Sequence, residues 1–197
     1  MSALQPHEFT LYSGGAAGSE AEFGDAAEAW GLTEVNFSFT GHAPVRTRGL
    51  VELDDAALDA GAESLQAIGR ALRRQFPETP HFKRLLLSLW HQVHNGEAVF
   101  VIGRIEADGT VTGGTGWGAE YARQCNKPLW VFDQAQDAWF TWDGQDWTAC
   151  EPPTVSHARF TGTGTRFLEP NGRAAIAGLF ERSFGALPGR GSSASRS

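Results

Sequence analysis

Cysteine, methionine and net positive charge are what this sequence has least of. It holds one methionine and two cysteines, Cys125 and Cys150, in 197 residues. Two thiols exclude a disulfide framework and fit a reducing, cytoplasmic setting. Sixteen Lys and Arg against 23 Asp and Glu leave a net charge of −7. That balance argues against a broad electrostatic footprint on nucleic acid or on an anionic membrane. The densest apolar run, Leu85 to Trp90, is far too short to span a bilayer. Residues Met1 to Thr10 carry neither a basic stretch nor an apolar core, so they do not read as a secretory signal. No repeat at a fixed period is visible. A chain of this length buries roughly 70% of the surface its unfolded form exposes, so it needs neither a disulfide nor a metal to hold a core. Glycine is what it has in excess: 24 residues, well above the usual share of about 7%.

The pattern of elements predicts an α/β fold. Glu8 to Ser13 is β-branched and aromatic and stops at Gly14-Gly15, which reads as a buried strand. Ser19 to Trp30 is helical in composition, with Glu20 and Glu22 in its first turn and Gly31 at its end. Glu34 to Thr40 alternates as a half-buried strand, and Gly41 to Gly49 is a loop. Helices follow from Asp54-Asp55 to about Phe76 and from about His81 to His94. Ala98 to Ile102 is continuously apolar, as a central strand covered on both faces should be. A short helix then ends near Cys125, and Pro128 to Phe132 is another buried strand. Trp139 to Trp142 and Trp147 to Cys150, joined at Asp143-Gly144, form a β-hairpin. His157 to Phe160 is a last short strand, Thr161 to Arg166 a Gly/Thr loop, and Asn171 to Phe184 the final helix. Residues 1–186 therefore form one domain, with 187–197 a disordered Gly/Ser-rich tail. Strands alternating with helices give a mainly parallel sheet flanked by helices, of order about 2-1-3-4-5, with the hairpin as an addition.

Three glycine-rich loops then fall at the carboxyl edge of that sheet, where ligands of such folds bind. The first is Ser13-Gly14-Gly15-Ala16-Ala17-Gly18-Ser19, between a strand and a helix, where free N–H groups can face an anion. It lacks the Lys-Ser/Thr ending of a P-loop and does not fit G-x-G-x-x-G. The second, Gly113-Gly114-Thr115-Gly116-Trp117-Gly118-Ala119-Glu120, has four glycines in six residues. The third is Gly162-Thr163-Gly164-Thr165-Arg166. Together they predict a crevice for a phosphate or a nucleotide. Taken singly, each also reads as a tight turn with no ligand.

The GG-x-x-G opening turn and the later GGTGWGAE resemble the SLOG superfamily of Rossmann-like domains. That superfamily includes lysine-decarboxylase-like nucleoside-monophosphate phosphoribohydrolases, molybdenum-cofactor carriers and nucleotide-sensing domains of bacterial conflict systems. Gly113, Gly114, Gly116 and Glu120 stand in register with the phosphoribohydrolase motif PGG-x-GT-x-x-E, while Thr112 replaces its proline and Trp117 its threonine. Thr112 to Thr115 matches the TGGT element of the carrier branch. The resemblance implies a nucleotide or nucleotide-derived ligand. It makes Glu120 the catalytic carboxylate if the protein cleaves an N-glycosidic bond. The arginine that the hydrolases place at the end of the preceding helix is missing from Leu89 to His94, which favours a binding, sensing or carrier module. A structural subunit with vestigial loops is a third reading.

Other candidates carry two readings each. Glu120 is a ribose-hydroxyl acceptor or a plain helix residue, and Trp117 stacks on a base or packs over its turn. His42, Arg46 and Arg48 follow the second strand, where one arginine would reach a ligand or all would be solvated. His91 and His94 share a helix, but nothing completes a metal-ligand spacing, so no metal is expected. The helix from His81 to His94 is apolar around most of its circumference, which predicts a homo-oligomer, most simply a dimer, through that helix.

Overall fold

The computed structural model describes residues 4–73 and 79–187. After a short 3-10 turn at Pro6–Glu8, the elements run β1 (Thr10–Ser13), α1 (Ser19–Trp30), β2 (Thr33–Phe39), β3 (Leu50–Leu53), α2 (Asp55–Asp59), α3 (Ala62–Leu72), α4 (Pro80–Asn95) and β4 (Ala98–Gly103). They continue with α5 (Thr115–Gln124), β5 (Leu129–Asp133), β6 (Ala138–Trp142), β7 (Trp147–Cys150), β8 (Arg159–Gly164) and α6 (Pro170–Phe184). The fold is α/β, as the alternation predicts. Its eight strands lie in one sheet in the order β3-β2-β1-β8-β4-β5-β6-β7. From β3 to β5 every pairing is parallel; the hairpin β6–β7 adds the antiparallel edge.

Helices cover both faces. α1 and α6 pack against each other on one side, and α3, α4 and α5 on the other. β4 shows the consequence in one strand, because all six of its residues are buried. Ala98, Phe100 and Ile102 join the core under α1 and α6, while Val99 and Val101 join the core under α3, α4 and α5.

Three expectations are corrected. The strand order is not 2-1-3-4-5, because β8 inserts between β1 and β4 and pairs with both. The expected Gly/Thr loop from Thr161 is instead the second half of that central strand. A β-carbon on Gly162 would lie 2.6 Å from the Phe23 ring of α1, so helix packing dictates the small residue. Secondly, β3 does not show in the sequence, being a four-residue edge strand with Leu50 and Val51 on the surface. Thirdly, the helix expected from Asp54 is split. Asp54 caps α2 by accepting from the Ala57 N–H at 2.8 Å, but the chain breaks at Gly61, where a β-carbon would come within 2.9 Å of Trp90. The expected end near Phe76 lies outside the described residues, as does the expected tail beyond Leu187.

α4 is held by β2, α3 and α5, and Phe82 and Leu85 at its start line a cavity. Most of its apolar circumference is thus used within the chain. Among the described residues no helix is long and apolar enough to cross a membrane.

Candidate functional site

A cavity of about 790 Å³ opens at the carboxyl edge of the parallel strands, a size typical of small-molecule sites. It is reached by all three glycine loops through Gly14, then Gly113, Gly114 and Thr115, then Thr163, Gly164 and Arg166. With β8 in the centre, the ends of β1, β8 and β4 stand side by side, and connections leave to both sides. That is the crevice where winding reverses.

The first loop is mainly a joint. Ser13 Oγ donates to the Gly162 carbonyl at 2.8 Å. Ser19 gives both its N–H and its hydroxyl to the Thr165 carbonyl, at 3.0 and 2.7 Å. Gly15 turns with φ 67° and accepts from the Val45 and Arg46 N–H groups. Gly18, at φ 92°, sits against the Arg166 backbone, which a β-carbon would meet at 2.5 Å. Of the five residues expected here to bind ligand, only Gly14 lines the cavity.

The acceptor cradled by this loop belongs to the protein. Glu20, buried in the first turn of α1, accepts from the Ala16 N–H at 3.1 Å and from the Thr163 hydroxyl at 2.9 Å. Burial pushes its carboxyl above the ordinary value of 4.5, outweighing the donors that pull it down. The folded protein therefore holds this proton more tightly than the unfolded chain. The stability Glu20 contributes is complete below pH 4.5 and is lost as pH rises through its higher folded value. Wild type should accordingly lose ground to Glu20→Gln as pH rises from about 4 to about 8 in urea-unfolding series. A difference between the two that stays flat across that range would refute the charge assignment.

The second loop presents the start of α5 to the cavity. Gly113 takes φ 64°, and Gly114 and Thr115 follow with open space beyond Gly114. The positive end of the α5 dipole thus meets the cavity. Gly116 and Trp117 turn the other way; Trp117 is 3% exposed and packs in the core. It does not present a stacking face to a ligand. Glu120 does not line the cavity either. Arg123 holds it in an ion pair at 3.0 Å, and the guanidinium lies over Trp142. Neither the catalytic role nor the ribose contact expected for Glu120 has a geometric basis here.

In the third loop, Gly162 is buried under Phe23 rather than exposed to ligand. Arg166 lies over the Phe167 ring at 4.7 Å and, among the described residues, forms no salt bridge. The loop is tied down by Gln134, which donates to the Phe167 carbonyl and accepts from the Glu169 N–H at 2.8 Å. Arg104 also reaches the cavity, paired with Glu169 at 2.8 Å.

The arginines after β2 are structural. Arg46 grips the buried Glu34, and Arg48 reaches the same carboxylate. From that loop only His42 lines the cavity, stacked on Phe39 and bonded to Ser38. Burial, helped by the charge of His81, lowers its pKa below 6.5, so it is neutral at pH 7. His91 donates to the Ala57 carbonyl and His94 stacks on Trp90.

The remaining wall comes from α4. Phe82, Leu85, Leu86 and Leu89 face the cavity, and Gln92 continues their stripe. Gln92 and Glu20 are among the polar residues that the sequence reading missed, with Arg104, Gln134, Thr165 and Glu169. A signal existed for the first two: Glu20 follows a glycine loop directly, and Gln92 is the polar member of an otherwise apolar helical stripe. Among the described residues no group of three His, Cys, Asp or Glu side chains is placed to hold a metal. No protein-family model, curated protein or solved structure matches the chain, so the reading of this cavity rests on its geometry.

Proposed function

We propose that the chain binds a nucleotide or a nucleotide-derived ligand in this cavity, as a cytoplasmic binding, sensing or carrier module. The observation that carries the reading is the cavity's two-sided chemistry. One side offers the α5 N-terminus and Arg166, which suit a phosphate. The other offers the apolar stripe of α4, which suits a base. The SLOG-like glycine pattern, whose motif falls on the second loop, agrees with this. Glu20 occupies the first loop, so the anion belongs at the second. No observation favours an N-glycosidic hydrolase, since Glu120 faces away.

The test is direct. Mass spectrometry of small molecules released from the purified protein should find a nucleotide. Titration calorimetry with nucleoside monophosphates, NAD and ADP-ribose should then reproduce its binding. Gly114→Val should keep the fold, because Gly114 has helical dihedrals and open space around it. Its branched side chain stands where the phosphate would sit, so affinity should fall more than about tenfold. A protein that binds none of these compounds, or a folded Gly114→Val with full affinity, would end the proposal.

A further inference from the structure

The floor of the cavity carries a polar atom that the fold leaves unused. Gln92 is 3% exposed, lies among leucines on α4 and lines the cavity, and its Oε1 is buried with no hydrogen-bond partner. Buried acceptors are rarely left this way without a reason. Its amide nitrogen and the Glu20 carboxylate both approach Gly14, at 2.5 and 2.8 Å from where a β-carbon would stand. The nitrogen thus lies on the Glu20 side, and the oxygen is the orphan. Because that oxygen has no partner, turning the carboxamide about its broad terminal torsion toward the cavity forfeits no bond there.

From this arrangement we infer that Gln92 reads an amino group on the base of the bound nucleotide, with Glu20 setting the ligand's direction. The inference rests on the nucleotide reading above and deepens it. Glu20 already takes the Ala16 N–H and the Thr163 hydroxyl at the Gly14 end, so the ligand's anion belongs toward Gly113 to Thr115 and Arg166. The opposite end of the ligand then lies along Phe82, Leu85 and Leu89, a surface for a flat ring rather than for sugar hydroxyls. The ring edge reaches Gln92. Glu20 is already engaged by the Ala16 N–H and the Thr163 hydroxyl, and Gln92 is the acceptor that needs a donor. A site built around an acceptor discriminates strongly against a ligand lacking the donor, because the acceptor then stays unpaired.

Two pairs of probes differ by one amino group each: AMP against purine riboside 5′-monophosphate, and GMP against inosine 5′-monophosphate. Calorimetry should show a preference of about tenfold or more for the amino-bearing member of at least one pair. Gln92→Leu keeps the volume and removes the orphan, so it should fold at least as well as wild type. In it the preference should collapse to near unity while affinity for the member lacking the amino group is kept. If nucleotides bind but neither pair is distinguished, the Gln92 inference fails and the nucleotide reading stands. A preference that survives in Gln92→Leu also defeats it. If no nucleotide binds, both fall together.

Discussion

Replacing Arg46 by Met is expected to cost about 3–5 kcal/mol of folding stability. Arg46 meets Glu34 through two nitrogens, Nε to Oε1 at 2.6 Å and Nη2 to Oε2 at 2.7 Å. The Glu34 side chain is fully buried, and that of Arg46 is 11% exposed. Asp25 and Glu28 also touch the guanidinium at 2.7 Å, but both are largely in solvent and contribute little. The large term is the buried carboxylate, which the substitution leaves without its main counter-charge. Arg48, 3.4 Å from Glu34, offsets part of the loss, so a value near the lower end is expected. Gly24 of α1 is matched to the same group, since a β-carbon there would lie 2.2 Å from Arg46 Nε. The double variant Arg46→Met, Glu34→Leu removes both charges and should recover most of the stability. Urea denaturation of the three proteins decides it, and a single-variant cost below about 1 kcal/mol would refute the assignment. The network also bears on the cavity, because the Arg46 N–H is bonded to the Gly15 carbonyl in the first glycine turn.

That network shows why some of the molecule is legible in sequence and some is not. α1 ends at Trp30 as expected, because its Gly31 terminator at φ 79° is a local signal, whereas Ser19 does not cap its start but bonds Thr165, 146 residues away. The buried run of β4 and the hairpin around Asp143-Gly144 are local as well. The crevice follows from glycine turns lying at one sheet edge. What stays hidden depends on residues far away in sequence. Arg46 looks like a loop arginine until Glu34, Asp25 and Glu28 are folded around it. Glu20 looks like a helix-dipole partner until Thr163, 143 residues later, donates to it. Trp117 stands in a glycine loop yet points into the core, because Gly116 and Trp117 fall on the inner side of α5. A glycine that bends a loop and a glycine that makes room for a ring look the same in one dimension.

Gly162 is of the second kind, and its substitution should be costly. Its β8 backbone is extended and unstrained, so the cost is purely one of space. A β-carbon would stand 2.6 Å from Phe23 Cγ, 2.7 Å from Phe23 Cδ1 and 2.9 Å from Leu11 Cδ1. Phe23 and Leu11 are completely buried, and Phe23 already packs against Phe180 of α6. The ring cannot retreat without shifting α1 or α6. Gly162→Ala should therefore cost about 1–3 kcal/mol, and Gly162→Val more than about 3 kcal/mol. Gly114→Ala, with open space around it, should stay within about 0.5 kcal/mol of wild type. Pairing Gly162→Ala with Phe23→Ala, which removes the ring's Cγ and Cδ1, separates space from other causes. If the ring is the obstacle, the two changes should be non-additive, the double variant losing about 1 kcal/mol less than the sum. Strict additivity would show that Phe23 is not what keeps position 162 small. Any displacement of α1 also moves Glu20 away from Thr163, so the folded Gly162→Ala variant should bind ligand less tightly even though residue 162 does not line the cavity.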